Sequence, residues 1–97
     1  MPTYARLPRF GKDLERLSPE QRSLFNAAVR KFVADLGAGG KFRVGLRVKG
    51  VEGAEGIFEL TWAPDGRATF QHGESIKAGQ PHIIWRRVGS HDVLSTP

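Results

Sequence analysis

Between Ser18 and Gly37 the apolar residues fall at Leu24, Phe25, Ala28, Val29, Phe32, Val33 and Leu36. This three-and-four spacing lines one side of a helix. Ser18 is a natural N-cap and Pro19 suits the first helical position, where its missing N–H costs nothing. Gln21 stands three residues after Ser18 and completes a capping box. The pattern predicts a helix over Pro19 to Leu36, with Gly37 as its C-cap glycine. Upstream, "RFGKDLERL" spaces Phe10, Leu14 and Leu17 for a shorter helix, and the residue before a proline avoids the helical region, so Ser18-Pro19 separates the two. They are expected to form a hairpin, with "TYARL" before them as an edge strand.

After Gly40 the period falls to two. "LRVKGV" alternates Leu46 and Val48 with Arg47 and Lys49. "IFELTWA" alternates Phe58, Leu60 and Trp62 with Glu59 and Thr61. "RATFQH" alternates Ala68 and Phe70 with Arg67, Thr69 and Gln71. The Pro64-Asp65-Gly66 turn joins the last two as a hairpin. "HIIWRRV" is apolar enough for a central strand, and the loop "GESIKAGQP" leads into it. Helices followed by hairpin-connected strands predict an α+β fold: an N-terminal helical hairpin packed on a small antiparallel-rich β-sheet of about four strands. The core would set Phe58, Leu60, Trp62 and Phe70 against Phe25, Val29, Phe32 and Leu36. The other face would carry Glu59, Thr61, Arg67, Thr69 and Gln71, joined by Arg47 and Lys49 if the first strand pairs in matching register.

Composition narrows the class. At 97 residues the chain is a single domain, 1–97. With 39% hydrophobic and 26% charged residues it has an ordinary globular make-up. It has no cysteine, which excludes disulfides and thiolate chemistry. No apolar run approaches a membrane span and no secretion signal opens the chain, so a cytoplasmic location is expected, with no membrane partner. Fifteen basic residues against ten acidic ones leave a charge of +5, which favours encounter with polyanions.

The chemistry available is narrow. His72 and His82 flank a loop with Glu74, but ordinary surface histidines are the better account of them than a metal site. No phosphate-cradling loop, no nucleophile with a recognisable base and no cofactor motif is present. Arginines, lysines and histidine suffice for cleavage of RNA by its own 2′-hydroxyl. Histidine titrates near neutrality and serves as acid or base, while arginines bind the phosphate. "RRVGSHDVL" is the densest such cluster: His91, Asp92, Arg86 and Arg87, with Arg67 on the preceding strand. Of Arg86 and Arg87, adjacent on a strand, at most one should point into such a site.

"FGKDLERL", "LRVKGVEGAEGIFELTWAPDGRATF" and "IIWRRVGSHDVL", in this order and spacing, resemble the RelE/ParE superfamily of type II toxin–antitoxin toxins, closest to its RelE- and HigB-like branch. The resemblance implies a microbial-ribonuclease-like fold. It implies translation inhibition by a metal-independent endoribonuclease (mRNA interferase) that binds and cleaves mRNA on the ribosome without a cofactor. The partner it implies is a cognate antitoxin, often a helix-turn-helix protein. Carried over, Arg67 corresponds to the family's phosphate-binding arginine, Arg47 and Lys49 to its basic strand, and His91 with Asp92 to its C-terminal acid–base position. Arg86 and Arg87 join Arg47 and Lys49 as candidate RNA-binding residues. The tyrosine frequent near the C-terminus of RelE itself is absent; Tyr4 is the single tyrosine. The superfamily also holds inhibitors of DNA gyrase without a nuclease site, and a basic RNA- or ribosome-binding module is a third reading.

Overall fold

The computed structural model describes residues 2–97. Strand β1 (Thr3–Arg6) leads into helix α1 (Pro8–Arg16) and helix α2 (Pro19–Gly37). Then come a 3₁₀ turn (Val44–Leu46), β2 (Lys49–Gly50), β3 (Ile57–Thr61), β4 (Gly66–Gly73), β5 (His82–Ser90) and a C-terminal 3₁₀ helix (His91–Ser95). The strands form one five-stranded sheet in the order β1-β5-β4-β3-β2. The α+β expectation holds, and "TYARL" supplies the expected edge strand: β1 pairs parallel to β5 and the rest pair antiparallel. β5 lies between β1 and β4, the inner position its apolar content predicted.

Local signals explain the helices. The Ser18 hydroxyl accepts from the Gln21 N–H at 3.1 Å, and the Gln21 side chain accepts from the Ser18 N–H at 2.8 Å. The capping box is thus formed. The C-terminus departs from expectation: Gly37 is still helical and Ala38 is the cap, its N–H donating to Ala34 and Asp35 carbonyls. Asp35 holds the following turn, accepting from the Arg43 backbone N–H and from its guanidinium at 2.8 Å. Those contacts keep the Asp35 carboxyl at about 2, below the usual carboxylate value.

The core lies between the helices and one face of the sheet. Phe10, Phe25, Phe32, Leu36, Leu60, Trp62, Phe70, Ile83, Trp85 and Val88 are all buried there, with Val29 and Phe58 half-buried beside them. Phe32 is central, ringed by Phe42, Phe70 and Trp85. Leu24, expected on the buried stripe, is 50% exposed. Gly66 is required by packing. A Cβ there would come within 2.6 Å of the Trp62 ring, so the strand lies directly on the indole.

Two further departures concern the strands. "LRVK" is not a strand: Leu46 is buried from the 3₁₀ turn, Arg47 turns the chain in the left-handed region (φ 49°), and only Lys49 and Gly50 pair. Its two-residue period reflects an apolar plug in irregular chain. Secondly, β5 carries a bulge. Thr69 pairs with Arg87 while Phe70 pairs with Trp85, so Arg86 is the extra residue. The bulge brings Trp85 and Val88, three residues apart, onto the same core face.

Candidate functional site

The register sets out the face away from the helices. Lys49 opposes Glu59, Glu59 opposes Thr69, and Thr69 opposes Arg87, forming a row across four strands. One step along, Thr61, Arg67 and Gly89 form a second row; on the other side Ile57, Gln71 and Ile84 form a third. Directly opposed residues point to the same side. Lys49 therefore joins the polar face as predicted, while Arg47 sits outside the ladder, exposed.

The bulge also settles Arg86 and Arg87. Both belong to the open face, contrary to the expectation that only one could. Arg86 donates to the Gln71 side chain, and Arg87 stands opposite Thr69. Their partners differ. The Arg87 guanidinium donates to Asp13 of α1 at 2.7 Å, and Asp13 also accepts from the Val88 N–H at 3.2 Å. β1 pairs with β5 only as far as Trp85, so the Val88 N–H lies on an edge without a strand neighbour. Asp13 closes that edge.

Arg67 folds back onto its own turn. Its Nη1 donates to the carbonyls of Gly66, Pro64 and Ala63, at 3.0 to 3.4 Å. Nε and Nη2 have no partner among the described residues. His91 opens the C-terminal 3₁₀ helix, whose N-cap is the Ser90 hydroxyl accepting from the Asp92 N–H. A Cβ on Gly89 would stand 3.1 Å from the Val93 side chain, so this helix folds over the open face beside Arg67. The His91 ring is exposed. No hydrogen bond joins it to Asp92, whose residue lines a shallow recess with Asp13, Arg16 and Arg87 instead.

Burial on this face is greater than alternation suggested. Glu59 is 6% exposed and Thr69 fully buried. The Thr69 hydroxyl has no hydrogen-bond partner, and the Glu59 carboxylate accepts from no donor among the described residues. Buried polar groups are normally satisfied, so the Glu59 carboxylate, which keeps slight exposure, is left for something outside the chain. The sequence placed Glu59 on this face without giving it a role; a carboxylate at a strand centre, two residues from Thr61, was the available signal.

His72 and His82 do not face one another. His82, buried, is hydrogen-bonded through Nδ1 to the Thr3 hydroxyl at 2.7 Å, while His72 lies edge-on to Phe58 and Phe70 on the other face. Among the described residues no group of histidines and acids is placed to hold a metal ion, and no helix is long and apolar enough to cross a membrane.

No protein-family model matches the sequence. No curated protein matches it either. Solved structures do match over nearly the full length. The E. coli DinJ–YafQ toxin–antitoxin complex contains a chain at TM-score 0.67 and 14% identity, with 96% of each chain covered. The RelB–RelE antitoxin–toxin complex from Methanococcus jannaschii gives TM-score 0.61 and 14% identity over 94% of each. A mutant toxin from Helicobacter pylori gives 0.62 and 18%, over 95% of this chain and 97% of that one. The fold is that of the RelE-type toxins. On this RelE-type scaffold the sheet supplies Lys49, Glu59, Arg67 and Thr69 to one face, and the segment after β5 carries His91 to its margin.

Proposed function

We propose that the chain is the toxin of a toxin–antitoxin pair and acts as a ribosome-dependent mRNA endonuclease. One observation carries the reading: a buried, unpartnered carboxylate, Glu59, shares a face with Lys49 and Arg67, beside the segment bearing His91. In the proposed reaction Glu59 accepts the proton of the 2′-hydroxyl. The 2′-oxygen attacks phosphorus, and the bond to the 5′-oxygen breaks. His91, protonated, delivers its proton to that leaving oxygen, giving a 2′,3′-cyclic phosphate and a 5′-hydroxyl. Arg67 and Lys49 stabilise the charge gathering on the phosphorane. Arg86 and the exposed Arg47 bind the flanking phosphates. Asp92, whose side chain forms no hydrogen bond with His91, is given no role in this reaction.

The antitoxin is assigned to the opposite side of the molecule. There Tyr4, Leu14, Val29, Val33 and Leu36 line an apolar groove of about 250 Å³ beside the outer edge of β1. The neighbouring DinJ–YafQ and RelB–RelE structures are complexes of this type, and a helix-turn-helix antitoxin is the partner expected.

The test is cleavage of mRNA on purified ribosomes, mapped by primer extension. The chain should cut in the A site. Glu59→Gln and His91→Ala should each slow cutting by about 10²- to 10⁴-fold, the usual worth of a general acid or base. Arg67→Ala should do so through lost charge stabilisation. Full activity of His91→Ala would overturn the assignment. Intact mRNA together with inhibited DNA supercoiling would replace it with gyrase inhibition.

A further inference from the structure

The row that runs through Gln71 departs from the rest of the open face. Gln71 pairs with Ile57 on one side and Ile84 on the other, all three half-buried. Beyond Ile57 the row continues in Val51, which is buried and donates its N–H to the Ile57 carbonyl at 2.8 Å. Two residues on along β4, a Cβ on Gly73 would stand 2.7 Å from the His82 ring and 3.0 Å from the Ile84 side chain, so those two side chains lie over the glycine and bound the row. The face of a sheet turned from its core is ordinarily polar. Here three aliphatic side chains, Val51, Ile57 and Ile84, surround one amide.

That amide is held in one orientation. The Arg86 guanidinium donates from Nη1 to Gln71 Oε1. A guanidinium has donors and no acceptor, so the amide oxygen is fixed toward Arg86 and the NH₂ is turned away from it. The NH₂ has no hydrogen-bond partner among the described residues. The row therefore presents one directed donor within an apolar surface, the make-up of a site that takes a flat ring and reads one edge of it. It lies one ladder step, about 7 Å along the strands, from the row of Lys49, Glu59, Thr69 and Arg87. A nucleotide covers that distance between its phosphate and its base. Guanine and uracil carry a keto oxygen where adenine and cytosine carry an amino group. The Gln71 NH₂ pairs with the first and meets a second donor in the other.

We propose that Gln71, oriented by Arg86, is a specificity residue that selects a keto base, guanine or uracil, beside the cleaved phosphate. This rests on the RNA reading of the open face and adds to it which bases the site accepts. Gln71 touches the base; Arg86 acts through it as a positioning residue.

Two measurements test it. The first is cleavage on purified ribosomes of mRNAs that differ by one base beside the cut. The native chain should cut keto-base sites roughly five- to fiftyfold faster than amino-base sites, the usual cost of one mismatched base. Gln71→Glu keeps the bond to Arg86 but offers only acceptors, so its preference should invert toward adenine and cytosine. Gln71→Ala should cut both alike. Arg86→Ala frees the amide to rotate, and the ratio should fall toward one with Gln71 still in place. The ratio compares two substrates on one protein, so lost stability or a lost phosphate contact does not move it. A native ratio near one overturns the proposal, as does a native preference kept by folded Gln71→Glu or Gln71→Ala.

The second measurement needs no cleavage. The Gln71 side-chain NH₂ signals are followed by NMR as inosine, adenosine, uridine and cytidine 5′-monophosphates are added in turn. The inosine and uridine nucleotides, which carry the keto group, should shift those signals; their amino counterparts should not. If they do so in a chain that leaves ribosomal mRNA intact, the base subsite stands and the nuclease reading falls. If the chain cuts mRNA without base preference and no nucleotide moves those signals, the nuclease reading stands and the subsite is wrong.

Discussion

Arg87 was expected to bind RNA, yet its main partner is Asp13. Changing Asp13 to Asn decides how far the arginine is structural. The Asp13 carboxylate accepts from Arg87 Nε at 2.7 Å, from Nη2 at 3.3 Å and from the Val88 N–H at 3.2 Å. Asn keeps one oxygen and turns an NH₂ toward donors. Removing one partner of a buried pair costs about 3–5 kcal/mol. Here the side chains are 9% and 19% exposed, so water relieves part of the loss, and about 2–3 kcal/mol is expected. For a domain of this length that lowers Tm by roughly 10–20 °C. Urea unfolding followed by fluorescence of Trp62 and Trp85 measures it. Arg87→Ala and the double variant complete a cycle whose coupling should be about 2 kcal/mol. Additive effects, or a fall in Tm of about 3 °C or less in Asp13→Asn, would refute the view that this pair closes the β5 edge.

Gly66→Ala drives a methyl into the Trp62 ring, which also packs edge-to-face with Phe25; it should cost about 1–3 kcal/mol in a thermal melt. Ser18→Ala removes half of the capping box and should cost about 1 kcal/mol by the same assay. The Asp35 carboxyl is depressed in the folded state, so its contribution is present above the usual carboxylate value of 3.8 and fades as pH falls toward about 2. The stability difference between the native chain and Asp35→Asn should therefore shrink between about pH 4 and pH 2, followed by circular dichroism. Glu59→Gln should retain oligonucleotide binding while losing cleavage, separating a proton acceptor from a phosphate contact.

Much of the fold could be read from the chain because its signals are local. Ser18, Pro19 and Gln21 start α2 within four residues, and Pro64 to Gly66 close the β3–β4 hairpin. What escaped depends on distant partners. Asp13 reads as one more acid on a helix until Arg87, 74 residues on, is brought against it. Leu46 and Val48 show the spacing of a strand, yet too little chain pairs there to form one. For the candidate site, alternation grouped Glu59, Arg67 and Thr69 on one face, but it does not report the burial of Glu59 and Thr69, each of which has a strand on both sides. His91 is proposed from its position after the last strand. The absence of a hydrogen bond between it and Asp92 depends on the turn of the 3₁₀ helix, which adjacency in sequence does not report.

The bulge at Arg86 separates two properties that a regular strand ties together. In an unbroken ladder, adding or losing one residue exchanges the two faces of everything beyond it. Here the extra residue lies between Trp85 and Val88, and both already face the core. Deleting it would leave them two residues apart, still on one face, with the packing against Phe70 and Ala68 kept. The charge of the open face can therefore change by a whole arginine, through a single codon gained or lost, without disturbing the interior. Related chains of this shape have a route to vary what they grip while holding constant how they fold.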